Sequence, residues 1–156
     1  MSQKLKQEEG LEGTLLAVLA LMLVISATAA VYFLIARSAP NEIGTPEWDK
    51  AQLVRWIWTV FGTFFFLYGI VGVIREKIAV GWGGICYRVT TFLEGASAFT
   101  AGTGTALGGL LMLATAAVYF YPALGGIIHS LATLICGFAS IFLSWICGLI
   151  IRALGY

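Results

Sequence analysis

Charge is scarce in this chain. Only 11% of its 156 residues are charged while 60% are hydrophobic, and the mean hydropathy is +0.93. A soluble core of this length has no room for so much apolar surface, so lipid is the solvent that the composition demands. Nine Lys and Arg against eight carboxylates leave a net charge of +1 without an extended basic cluster, which excludes nucleic acid as a partner. Histidine is rarer still. The single residue, His129, excludes a bis-histidine haem site or a histidine-rich metal centre built by this chain alone. Three cysteines, Cys86, Cys136 and Cys147, are an odd number without Cys-x-x-Cys spacing, so neither a disulfide framework nor a thiolate metal site is indicated. Cys136 and Cys147, eleven positions apart, would be separated by roughly 16 Å along a helix, beyond disulfide reach. A P-loop and a Ser-His-Asp set are also missing. The sequence therefore predicts no catalytic residue, no cofactor and no metal site.

What the chain does have is long apolar runs. Four are long enough to cross the roughly 20-residue hydrocarbon layer as helices, at about 14–36, 56–74, 99–121 and 127–151. They predict an all-α integral membrane protein, a single membrane domain over 1–156 with four transmembrane helices. The first run is too long for the apolar part of a signal peptide and follows a basic start diluted by Glu8, Glu9 and Glu12, so a retained anchor is expected. Thr45-Pro46-Glu47 reads as N-cap, first-turn proline and first-turn acid of a helix that continues into the second span. Pro122 with Gly125 and Gly126 predicts a tight turn between the last two.

Basic residues then set the orientation. Lys4, Lys6, Arg75, Lys77, Arg88 and Arg152 fall on one side and Arg37, Lys50 and Arg55 on the other, which by the positive-inside rule makes both termini cytoplasmic. Tyr32, Trp48, Trp56, Trp58, Tyr119 and Tyr121 then form an aromatic belt at the outer interface. Between spans two and three, Ile78, Trp82, Ile85, Val89, Phe92 and Ala96 recur at helical steps, predicting an amphipathic helix in the cytoplasmic interface. An irregular loop, favoured by Gly81, Gly83 and Gly84, is the competing expectation.

One heptapeptide, ATAAVYF, occurs at both 27–33 and 114–120, on odd-numbered spans that run in the same direction. A tandem two-helix duplication would produce this, but extending the register adds little, and a repeat-based transport mechanism has no further support.

Small residues mark the helix sides. Gly126, Ser130, Thr133, Gly137, Ser140, Ser144 and Gly148 recur along span four, Gly62, Gly69 and Gly72 along span two, and Gly104 with Gly108 makes a GxxxG pair in span three. Between apolar helices in lipid, such faces allow the close backbone approach and hydroxyl contacts that hold helices together. Packing within the chain is the favoured use of any one stripe; several stripes predict that some are left for another protein. Arg88 and Glu94 are expected as an interfacial polar pair, with a proton-relay role for Glu94 as the less favoured alternative.

Glu12-Gly13-Thr14-Leu15-Leu16 running into an apolar helix is similar to the small accessory subunits of haem-copper oxidases, over the first span alone. Those subunits typically stop where this chain continues through three more spans. The resemblance implies a scaffolding role in a respiratory complex, without a redox centre in this chain. The expected function is thus a non-catalytic structural or accessory subunit, not an enzyme, with other integral membrane subunits and lipids as partners. The alternative is a homo-oligomeric pore lined by Ser130, Thr133, Ser140 and Ser144, or by Thr100, Thr103 and Thr105.

Overall fold

The computed structural model describes residues 2–38, 52–84 and 87–156, of which 2–11, 52–54, 82–84, 87–90 and 126 are described by their backbone alone. Four α-helices account for most of them: α1 (Ser2–Ser38), α2 (Gln52–Ile74), α3 (Gly95–Phe120) and α4 (Ser130–Ala153). Each contains a segment long and apolar enough to span a membrane: Glu12–Ser38, Arg55–Ile74, Gly95–Phe120 and Ser130–Ala153. The helix start expected at Thr45-Pro46-Glu47, and Trp48 of the aromatic belt, lie outside the described residues.

The segment between α2 and α3 is neither an amphipathic helix nor an irregular loop. It forms an antiparallel hairpin of β1 (Lys77–Gly84) and β2 (Tyr87–Glu94), in register from Lys77 opposite Glu94 to Gly84 opposite Tyr87. The physical reason lies in a second periodicity carried by the same residues. Ile78, Val80 and Leu93 are buried while Lys77, Phe92 and Glu94 are exposed, an alternation of period two. Val89, Thr90 and Thr91 are β-branched, and three glycines in 81–84 oppose a helix. Ile78, Val80 and Leu93 form a small core with Ala98 and Ala101 of α3, flanked by Tyr68 and Trp145. The Tyr68 hydroxyl donates to the Ala79 carbonyl and ties β1 to α2.

Helix ends also differ from expectation for local reasons. The hydroxyl of Ser97 accepts from the Glu94 N–H at 3.2 Å and donates to its carbonyl at 2.7 Å, so α3 starts at Gly95, four residues earlier than its apolar run suggests. Residues Pro122–Gly126 close as a 3-10 helix, and α4 waits for its cap: His129 Nδ1 accepts from the Ala132 N–H at 3.3 Å.

The bundle is built around α3. Its small side chains let α2 pack along one side and α4 along another, both antiparallel to it, while α1 lies against α4 and α3. Trp58 of α2 meets Phe138 of α4 edge to face, with ring centroids 5.8 Å apart, and bridges the two outer helices on one side of α3. On its other side α1 and α2 share no extended interface. The last residue folds back onto α1, with the Tyr156 hydroxyl donating to Glu12 Oε2 at 2.7 Å.

Candidate functional site

The helix stripes are used inside the chain. α3 splits its glycines between two neighbours roughly a third of a turn apart, a consequence of 100° per residue. Gly102, Ala106 and Gly109 face α2, where a Cβ on Gly69 would stand 2.5 Å from the Gly102 carbonyl oxygen and one on Gly62 would stand 2.9 Å from the Leu113 nitrogen. Gly104 and Gly108 face α4: a Cβ on Gly104 would run into Ser144, and one on Gly108 would stand 2.5 Å from the Gly137 carbonyl oxygen. Gly148 approaches Leu93 and Ser97, and Gly72 approaches Ile78, so the hairpin is seated by glycines too. Gly102 and Gly109 are the partners that sequence spacing alone did not single out; they lie beside Gly104 and Gly108 in 101–109 but on a different face.

The hydroxyls of α4 face the same interior. Ser140 donates to the Gly104 carbonyl at 3.0 Å, Ser144 to the Ile141 carbonyl at 2.9 Å and Thr133 to the His129 carbonyl at 2.7 Å. Ser130, Thr133, Ser140 and Ser144 are all buried, as are Thr100 and Thr105, which bond to Ala96 and Ala101 one turn earlier. Trp145 Nε1 donates to the Thr105 hydroxyl at 2.9 Å. Gly62, Gly69, Gly104, Gly108, Gly137 and Gly148 are likewise buried, whereas Gly126 belongs to the 3-10 turn and not to α4. The described members of these stripes are thus buried within the chain itself.

The duplicated heptapeptide has a common use. Thr28 in the first copy and Thr115 in the second occupy the same position of the motif, and both are buried against α4. The Thr28 carbonyl accepts from Cys136 Sγ at 3.2 Å, and the Thr115 hydroxyl donates to the Ser130 carbonyl at 3.5 Å. Tyr32, four residues after Thr28, accepts from the His129 N–H at 3.2 Å. Each copy is a short helix side that fits α4.

Polar groups gather at the hairpin end. The chain leaves α2 through Glu76, whose φ of 51° places it in the left-handed region, and re-enters α3 through Gly95, whose φ is 58°. The Gly95 N–H donates to the Glu76 carbonyl at 3.1 Å and closes the neck of the hairpin. Beside it Lys77 Nζ pairs with Glu94 Oε1 at 2.6 Å, both side chains being largely exposed. That hydrogen bond, with the charge of Lys77 behind it, holds the Glu94 carboxyl below its ordinary range. Glu94 thus takes Lys77 as its partner; Arg88 lies further along β2 opposite Gly83, and its side chain is outside the described residues.

Two cavities flank Tyr156 at this level. One, of about 600 Å³, lies between α1 at Gly13 and Ala17 and the adjoining ends of α2 and α3, and is lined by Val73, Glu76, Phe99 and Tyr156 among others. The second, of about 480 Å³, is lined by Lys77, Glu94, Ser97, Arg152 and Tyr156. Among the described residues no group of three or more His, Cys, Asp or Glu comes together as a metal site. Comparison with protein-family models, curated proteins and solved structures gives no match to the chain.

Proposed function

We propose that the chain is a non-catalytic structural or accessory subunit of a larger membrane protein complex, and that its hairpin meets the partner. The observation that supports this most is the two-stranded ribbon carried at one end of the helical bundle. Among the described residues β1 and β2 form a sheet of two strands with no third strand on either side. A lone hairpin is marginal in water and its unpaired edges invite another chain, so a ribbon carried on a helical membrane domain suits contact with a neighbour. The base of this ribbon is anchored by Ile78, Val80 and Leu93, which leaves its outer half to be read by a partner.

The pore alternative is disfavoured, because Thr133, Ser140 and Ser144, three of the hydroxyls that would line it, are bonded to the chain's own carbonyls. With both termini on the cytoplasmic side, as the basic residues argue, the ribbon also faces the cytoplasm. Replacing residues 81–90 by Asn-Gly joins Val80 to Thr91, which are already opposite each other, through a two-residue turn and preserves the anchored base. Purification from the native membrane in mild detergent should recover the full-length chain with stoichiometric partner polypeptides and the shortened chain without them. Recovery of the full-length chain alone, or of both with the same partners, overturns the proposal.

A further inference from the structure

The helices leave one side of α3 uncovered. With α2 on Gly102, Ala106 and Gly109 and α4 on Gly104 and Gly108, the stripe Phe99, Thr103, Leu107, Leu110, Ala114 and Ala117 stays exposed or half-buried along the length of the helix. α1 and α2 are the banks of this groove. At the hairpin end it opens into the cavity of about 600 Å³. Gly13, Val73 and Gly95, which line that cavity, stand at the ends of three membrane-spanning segments, so it lies where hydrocarbon gives way to headgroups.

The cavity is amphipathic. Ala17, Val73 and Phe99 give it an apolar floor, and Glu76 is the one charged residue in its wall among the described residues. The Glu76 carboxylate has neither an ion pair nor a hydrogen bond among the described residues, whereas Lys77 next to it is already engaged by Glu94. Its backbone is also the only left-handed one among the described non-glycine residues, at a position where glycine fits without strain. A carboxylate-bearing residue in the wall of a cavity at headgroup level has a cation as its complement.

We propose that the cavity and groove hold a phospholipid with a primary-amine headgroup, of the phosphatidylethanolamine type. The ammonium lies against Glu76, and one acyl chain follows the stripe from Phe99 to Ala117. An apolar groove open to the bilayer is covered by lipid or by another helix; the carboxylate at its mouth selects the lipid and names its headgroup. A primary ammonium offers Glu76 three hydrogen-bond donors, a choline headgroup offers none, and a phosphatidylglycerol headgroup brings charge of the wrong sign. The proposal does not depend on the accessory-subunit reading.

The test uses delipidated full-length protein titrated with phosphatidylethanolamine, phosphatidylcholine or phosphatidylglycerol of identical acyl chains. Bound lipid is counted by native mass spectrometry and thermal unfolding is followed in parallel. One phosphatidylethanolamine should bind roughly tenfold more tightly than either of the others and raise the melting temperature. Glu76→Gln should abolish that preference. Glu76→Gly should also abolish it while raising the melting temperature of the lipid-free protein, which separates lost binding from lost folding. Equal binding of the three lipids, or a preference that survives both substitutions, overturns the proposal. So does crosslinking of Leu110→p-benzoylphenylalanine to another polypeptide in the native membrane, since a protein would then fill the groove.

Discussion

At the scale of single residues, three side chains hold positions whose chemistry makes opposite demands. Glu76 sits at φ 51°, a conformation that costs an L-residue about 1 kcal/mol or more and costs glycine little. Glu76→Gly should therefore stabilise the lipid-free protein by about 1 kcal/mol, read from unfolding in mixed micelles. His129 caps α4 through Nδ1, which requires that nitrogen to be unprotonated. His129→Ala should cost about 1 kcal/mol in the same assay, and His129→Asn, which restores an oxygen acceptor at the cap, should recover most of it. Glu94 titrates below its ordinary range because Lys77 favours its charged form. Its contribution to the hairpin base is then complete above the unfolded-state carboxylate value and is lost as pH falls through the lower folded value. Acidification below about pH 4 should loosen the neck, seen as faster amide exchange at Gly95, and Glu94→Gln should remove that pH dependence.

At the scale of elements, the contacts between helices are decided by glycines. Helix propensity alone favours Gly→Ala by about 1 kcal/mol. At Gly69 the added methyl meets the backbone of α3 at Gly102 and Ala106, which cannot move aside. Gly69→Ala should therefore destabilise the protein by about 1–3 kcal/mol. At Gly13 the nearest atom is Cδ1 of the terminal Tyr156, 3.1 Å away on a side chain that can swing, so Gly13→Ala should be close to neutral. Unfolding of the two variants by dodecyl sulfate, followed by circular dichroism, checks the contrast. The four apolar helices were legible in the sequence because their length and hydrophobicity are properties of continuous segments. The hairpin was not: Ile78, Trp82, Ile85, Val89, Phe92 and Ala96 fit a helical repeat as well as Ile78, Val80 and Leu93 fit an alternating one. The tie was broken by tertiary burial against Ala98 and Ala101. The same holds for 101–109, where spacing showed small residues but not that neighbouring glycines serve two different helices.

At the scale of the molecule, the last residue, Tyr156, meets α1 at Glu12, beside the neck of the hairpin. In the proposed topology the four helices, each long and apolar enough to span a membrane, put both termini and the ribbon on one face, the cytoplasmic one by the positive-inside rule. Single-cysteine variants should show Thr91→Cys and Arg152→Cys labelled from the cytoplasm and Ser38→Cys labelled from the opposite side, each in a background with the native cysteines replaced. Labelling of Ser38→Cys and Arg152→Cys from the same side would contradict this topology.

The position of α3 at the centre of the bundle sets the order in which the chain can assemble. A translating ribosome delivers α1 and α2 to the bilayer before either has a surface to settle on, because each finds its seat on a segment that has not yet been made. Until α3 follows, the first half of the protein waits as two separate anchors. The third crossing brings α2 its main seat, and α1 receives its larger one only with the fourth.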